Sequence, residues 1–227
     1  MFAPYNKPEV AAEEPKLAAA RREMVDKQLR LRGICDGGVL KAFLEVPRER
    51  FIDPDRRHEA YIDSPVPIGC GQTISQPYIV ALMLQELALR PEHRVLDVGA
   101  GSGYQTALLA RLVREVYAIE RIEELTEEAA GALAGLGIEN VTLRTGDGTL
   151  GWPEQAPFDR IVCGAGAPDV PPAWIEQLAD DGRIILPVGG LNAQVLELIE
   201  KHGQSIRRRE VCDVRFVKLI GCQGWPE

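Results

Sequence analysis

Cysteine and histidine are few, and they are badly spaced for a metal site or a disulfide framework. The 227 residues hold five cysteines, an odd number with no Cys-x-x-Cys pair, and three histidines. Structural zinc sites and stapled secreted folds need paired, closely spaced ligands. No metal is therefore expected, and Cys35, Cys70, Cys163, Cys212 and Cys222 read as reduced thiols of a cytoplasmic protein. A positive charge excess is missing too, since 26 Lys and Arg face 34 Asp and Glu for a net charge of -8. That field repels phosphate and argues against nucleic acid or an anionic membrane as partner. No run approaches the ~18 consecutive apolar residues that a membrane span requires, and no basic start leads into an apolar stretch as in a secretory leader.

What is present is enough apolar material for a large core, 45% of the chain. The length suits one α/β domain over residues 16–227 behind a mobile, proline-bearing tail at 1–15. Residues 16–93 read as a helical and substrate-loop segment. The apolar residues of Lys16–Leu31 share a helical face ahead of Gly33, and a helix runs from an Asp36 cap to Val46. A further helix begins at Pro77. Residues 94–190 alternate strand and helix: strands at 94–98, 115–119, 140–144, 158–163 and 183–188, helices at 104–113, 123–136 and 171–179. This alternation predicts a doubly wound, mostly parallel sheet covered on both faces. Residues 191–227 add two longer strands, 194–201 and 205–219, joined tightly enough to pair antiparallel at the edge. Arg207, Arg208 and Arg209 read as a solvated edge or, less simply, as a binding patch.

The chemistry concentrates after the first core strand, in Asp97-Val98-Gly99-Ala100-Gly101-Ser102-Gly103-Tyr104. A ligand lies directly on main chain only where side chains are absent. Tyr104 occupies the third glycine position of a dinucleotide fingerprint, which leaves G-x-G-x-G and an acid at Asp97. That pattern suits a phosphate-free cofactor with a cationic amino-acid end, and S-adenosyl-L-methionine fits. Glu120 closes the next strand, 21 residues beyond Gly99, where an acid can take both ribose hydroxyls. The plainer alternative is a tight strand-to-helix turn without a ligand.

In an open α/β sheet ligands gather beyond the carboxyl ends of the strands. Gly146-Asp147-Gly148 falls at that edge, and Asp147 either accepts the adenine amino group or merely shapes a turn. Ser75, in Gly71-Gln72-Thr73-Ile74-Ser75-Gln76-Pro77, is a helix N-cap or part of a cradle for a carboxylate, two compatible roles. Cys163 reads as a buried, inert strand-end thiol rather than a nucleophile.

Met24 to Cys35, Val46-Pro47-Arg48-Glu49-Arg50-Phe51, Ala60-Tyr61, Pro67 to Pro77, Val95 to Tyr104, Gly146-Asp147-Gly148, Gly151-Trp152-Pro153, Ala156 to Asp159 and Gly182-Arg183 together resemble the protein-L-isoaspartate O-methyltransferase family. The likeness runs from about residue 20 to 221. It implies a repair enzyme that methylates the free carboxylate of L-isoaspartyl residues in damaged proteins and peptides, after which the ester collapses to a succinimide that partly reopens to aspartate. It further implies seven strands ordered 3-2-1-4-5-6-7, with one antiparallel strand near the edge. Ser75 would carry the active-site role. Gln72, Thr73, Ile74 and Ser75 would close over the cofactor, with Asp97, Gly99, Ala100, Gly101, Gly103, Tyr104, Glu120, Arg121, Asp147 and Gly148 holding it. The expected assembly is a monomer.

Two stretches depart from the family pattern. Cys163-Gly164-Ala165-Gly166-Ala167 stands where Thr-Ala-Ala-Ala is expected, implying a looser loop, and Lys218 replaces a proline. Both lie near the acceptor, so a different acceptor, or a cofactor-binding module without turnover, are the competing readings.

Overall fold

The computed structural model describes residues 14–227. The expected tail lies outside them except for its last two residues, and Pro15 already opens a helix. That helix, α1 (Pro15–Glu23), continues as a π-helical stretch over Met24–Leu29 and one 3-10 turn to Arg32, where Gly33 ends it at φ +92°. The chain is helical where expected, but its widened turn brings Met24, Val25 and Leu29 into the core together. Helix α2 (Gly37–Glu45) begins as its sequence demands, with Asp36 accepting from the Val39 amide at 2.9 Å.

A short hairpin follows, β1 (Val66–Gly69) and β2 (Gln72–Ile74), then α3 (Pro77–Glu86). The hairpin is absent from the sequence expectations, which take this stretch as a loop. The α3 N-cap is Gln76, so Ser75 is not the capping residue. Carbonyls at the far end of α3 are satisfied by arginines of the sheet: Arg183 donates to Glu86 and Arg160 to Leu87.

The core elements are β3 (Arg94–Val98), α4 (Tyr104–Ala110), β4 (Glu115–Glu120), α5 (Glu123–Gly135), β5 (Val141–Thr145), β6 (Phe158–Cys163), α6 (Pro172–Gln177), β7 (Leu178–Gly189), β8 (Gln194–His202) and β9 (Ser205–Val214). Strands β3 and β6 have the expected limits, whereas β7 starts five residues early and β9 ends at Val214 rather than Leu219. The seven-stranded sheet runs β5-β4-β3-β6-β7-β8-β9, and β8 alone opposes the others. Counted from β3, that is 3-2-1-4-5-6-7, the order the resemblance implies.

Alternation along the strands splits the core in two. Val95, Val116, Val162 and Ile185 face the layer built by the N-terminal helices, α3 and α4. Leu96, Val98, Ile119, Ile161, Ile184 and Leu186 face the other layer, centred on Phe158 and the fully buried Trp174 of α6. The basic run on β9 is a paired edge: Arg208 meets Asp169, and Arg209 meets Glu86.

Candidate active site

Gly99, Gly101 and Gly103 have φ of +75°, +54° and +88°, backbone that side chains rarely tolerate. The loop they form is braced against β4. Gly99 and Ala100 donate to the Ile119 carbonyl, and Gly101 donates to Glu120 Oε2 at 2.9 Å. The second oxygen of Glu120 accepts from the Ile122 amide at 3.0 Å. Each carboxylate oxygen keeps a further lone pair, so the acid is fixed in place and still able to accept two hydroxyls.

Gly99, Gly101, Glu120, Arg121 and Gly148 line one crevice at the carboxyl edge, together with Gln72 and Thr73 from the hairpin. The hairpin turn suits its task, because Cys70 and Gly71 both take positive φ, as a two-residue turn between twisted strands requires. Its tip is tied to α5 by Cys70 Sγ, which donates to Glu124 at 3.4 Å. Beside the crevice lies a groove of about 790 Å³ that contains Ser75. Thr73, Gly164, Val217 and Lys218 line both spaces. Among the described residues the Ser75 hydroxyl has no hydrogen-bond partner, while its carbonyl accepts from Arg48 at 2.9 Å. Arg48 is fully buried over the Tyr104 ring, and burial lowers its pKa to about 10.

Several of the residues expected at the cofactor do not line this crevice. Asp97 shares its face of β3 with Val95, toward α4, and does not line the crevice. Its carboxylate accepts from Gln105 at 2.7 Å and Thr106 at 2.6 Å, locking α4 to the strand below the glycine loop. Tyr104 is core, packed against Phe43 and Phe51. Gly103 is the α4 N-cap and faces Ala129. Ile74 and Ala100 are buried, supporting their neighbours. Asp147 lines a separate hollow with the C-terminal residues. Its Oδ1 accepts from the Thr149 amide and hydroxyl and its Oδ2 from the Cys222 amide at 2.8 Å. Partial burial pushes this carboxyl up, and those hydrogen bonds outweigh it and hold the pKa below the usual range. Arg121 pairs with Glu227 at 2.6 Å across the same hollow.

Sequence reasoning placed residues 163–167 and Lys218 near the acceptor but missed that Gly164, Ala165 and Val217 to Ile220 together wall this crevice. The signal lay in Gly164, directly after β6 at the ligand edge. Its glycines have a steric role beyond the looseness expected of them, namely close approach. A Cβ on Gly164 would stand 3.0 Å from the Gly99 carbonyl oxygen. Gly166 donates to Val217 at 2.7 Å and accepts from Leu219 at 2.8 Å. Cys163 is fully buried, and burial drives its thiol pKa upward, away from nucleophilic use.

Burial raises the Asp97 carboxyl to about 6 despite its two hydrogen bonds. A group with a raised folded pKa contributes stability that is complete below its unfolded value, ~4, and lost as pH climbs through the folded one. Asp97→Asn is therefore expected to gain stability relative to the unsubstituted protein between pH 4 and 7. Urea midpoints measured across that interval check this, and two parallel profiles would contradict it.

The model of the protein-L-isoaspartate(D-aspartate) O-methyltransferase family matches residues 19–224. The chain belongs to this family. A protein-L-isoaspartate O-methyltransferase of Methanoregula boonei is 51% identical over 205 residues, covering 90% of this chain and 94% of that one. An enzyme of that description numbered 2 from Marinobacter nauticus is 52% identical over 212 residues, covering 92% and 97%. A solved protein-L-isoaspartate O-methyltransferase superposes with a TM-score of 0.82 at 32% identity, covering 90% of this chain and 67% of that one. One from Plasmodium falciparum, in complex with S-adenosyl-L-homocysteine, gives 0.77 at 30% identity, covering 88% and 98%. The family's reaction, S-adenosylmethionine-dependent methylation of isoaspartyl residues in protein repair, is the reaction of this chain. The residues present fit that cofactor: bare main chain at Gly99 and Gly101, and at Glu120 a carboxylate held by two amides with lone pairs to spare.

Proposed function

We propose that Ser75 holds the acceptor carboxylate, while Gly99, Gly101, Glu120 and Gly148 seat the cofactor in the adjoining crevice. The observation that carries this reading is the unpartnered Ser75 hydroxyl in a groove that shares Thr73, Gly164, Val217 and Lys218 with the crevice. When bound, S-adenosylmethionine supplies a methyl group on a positively charged sulfur. An isoaspartyl carboxylate is already ionised at neutral pH, since its ordinary pKa is near ~4, so no general base is needed. The residues have instead to align the oxygen and shed its water. One neutral hydrogen bond from Ser75 orients the anion without quenching its attack as a buried salt bridge would. Gln72 and Thr73, carried by the hairpin, cover the line of approach.

Ser75→Ala is expected to cut turnover roughly tenfold, the loss of one hydrogen bond, with a smaller change in S-adenosylhomocysteine affinity. Methyl transfer to an isoaspartyl peptide, with its aspartyl twin as control, measures it. Equal losses in both parameters would refute this division of labour.

Monomeric action in the cytoplasm belongs to the same proposal. Cys35, Cys70 and Cys222 are free and exposed, which suits a reducing compartment. Among the described residues no helix is long and apolar enough to cross a membrane.

A further inference from the structure

The groove that contains Ser75 carries a charge unlike the rest of the chain. Arg215 and Lys218 both line it and both are exposed. Among the described residues neither has a hydrogen bond or an ion pair through its side chain. Most cations of the last three strands are engaged: Arg183 pairs with Glu200 at 2.8 Å, Arg208 with Asp169 at 2.7 Å, and Arg209 with Glu86, while Arg207 has no ion pair among the described residues and does not line the groove. Asp213 is the one acid among the described lining residues. The groove is thus net positive on a molecule of net charge -8. Lys218 is also held in place, because Gly166 clasps the main chain on either side of it through Val217 and Leu219.

We propose that Arg215 and Lys218 make this groove selective for isoaspartyl segments whose flanking residues are acidic. The inference rests on the proposed function and adds its substrate class. Exposed cations lose little hydration when a carboxylate approaches, so they act by attraction over a distance and on the rate of encounter. That division leaves the reacting carboxylate to the neutral Ser75 and gives the cations the neighbouring charges of the peptide. A lysine-flanked segment meets unpaired like charges at the same wall and is disfavoured by the same field.

Two isoaspartyl peptides of equal length, one flanked by glutamates and one by lysines, test this by methyl transfer at low and at high salt. The acidic peptide is expected to show a kcat/KM roughly fivefold higher at low salt, the size of two exposed ion pairs, carried by KM. The preference should fade at high salt, where exposed charges are screened. In the double variant Arg215→Gln, Lys218→Gln the ratio should approach one even at low salt. A ratio indifferent to salt and to both substitutions would overturn the inference while leaving isoaspartyl methylation intact. So would a double variant that raises the KM for the cofactor and keeps the peptide ratio, since Lys218 would then serve the crevice instead. Failure to methylate either peptide would remove the underlying reading and this one with it.

Discussion

Glu120→Ala is expected to weaken S-adenosylhomocysteine binding roughly tenfold to a hundredfold, about 1–3 kcal/mol for leaving buried partners unpaired. The side chain is only 6% exposed, and it does two things at once. Its oxygens already accept from the amides of Gly101 and Ile122, so truncation frees the glycine loop from β4 as well as removing the proposed diol acceptor. Glu120→Gln, which keeps one accepting oxygen, should fall between the two. Calorimetric titration of the three proteins decides it. Unchanged affinity in the alanine variant would show that the ribose lies elsewhere.

Gly103→Ala is expected to act on the opposite quantity, stability. Gly103 has φ +88°, and a Cβ there would meet the Ala129 Cβ at 3.0 Å and its Cα at 3.3 Å. Neither contact is the end of a flexible side chain, so α5 would have to shift. The left-handed backbone costs about 1–2 kcal/mol and overpacking about 1–3 kcal/mol. Together these lower the melting temperature by about 10 °C in a chain of this size. Because Gly103 does not line the crevice, the folded fraction should bind S-adenosylhomocysteine almost normally. Thermal melts with and without that ligand measure both halves. A variant that melts normally yet cannot bind would return Gly103 to the cofactor.

These two glycine-loop results bear on what a sequence can reveal. The alternation of Val95, Leu96 and Val98, and of Ile161, Val162 and Cys163, defines strands buried on both faces, and β3 and β6 begin and end where that pattern says. Asp36 announces its helix because capping is local chemistry. That Gly99, Gly101, Glu120 and Gly148 gather at one crevice was legible, because bare backbone and a strand-end acid fall together at the carboxyl edge. The side on which Asp97 and Tyr104 emerge was not. A motif fixes their position along the chain, but the pleat of β3 and the phase of α4 decide on which side they emerge, and both turn inward. The β1–β2 hairpin was hidden for another reason. Val66-Pro67-Ile68-Gly69 and Gln72-Thr73-Ile74 are too short and too rich in glycine and proline to read as strands, and only their pairing makes them so. Of residues 215–220 only Lys218 stood out, and its place beside the crevice was hidden because it depends on Gly166, about 50 positions earlier in the chain.

Thr73, Gly164, Val217 and Lys218 separate the two spaces and belong to both. Such a partition has little room for evolutionary drift, because any change that improves the fit of one guest reshapes the seat of the other. Divergence in which proteins are mended is therefore channelled outward, to positions such as Asp213 and Arg215 that line the groove alone.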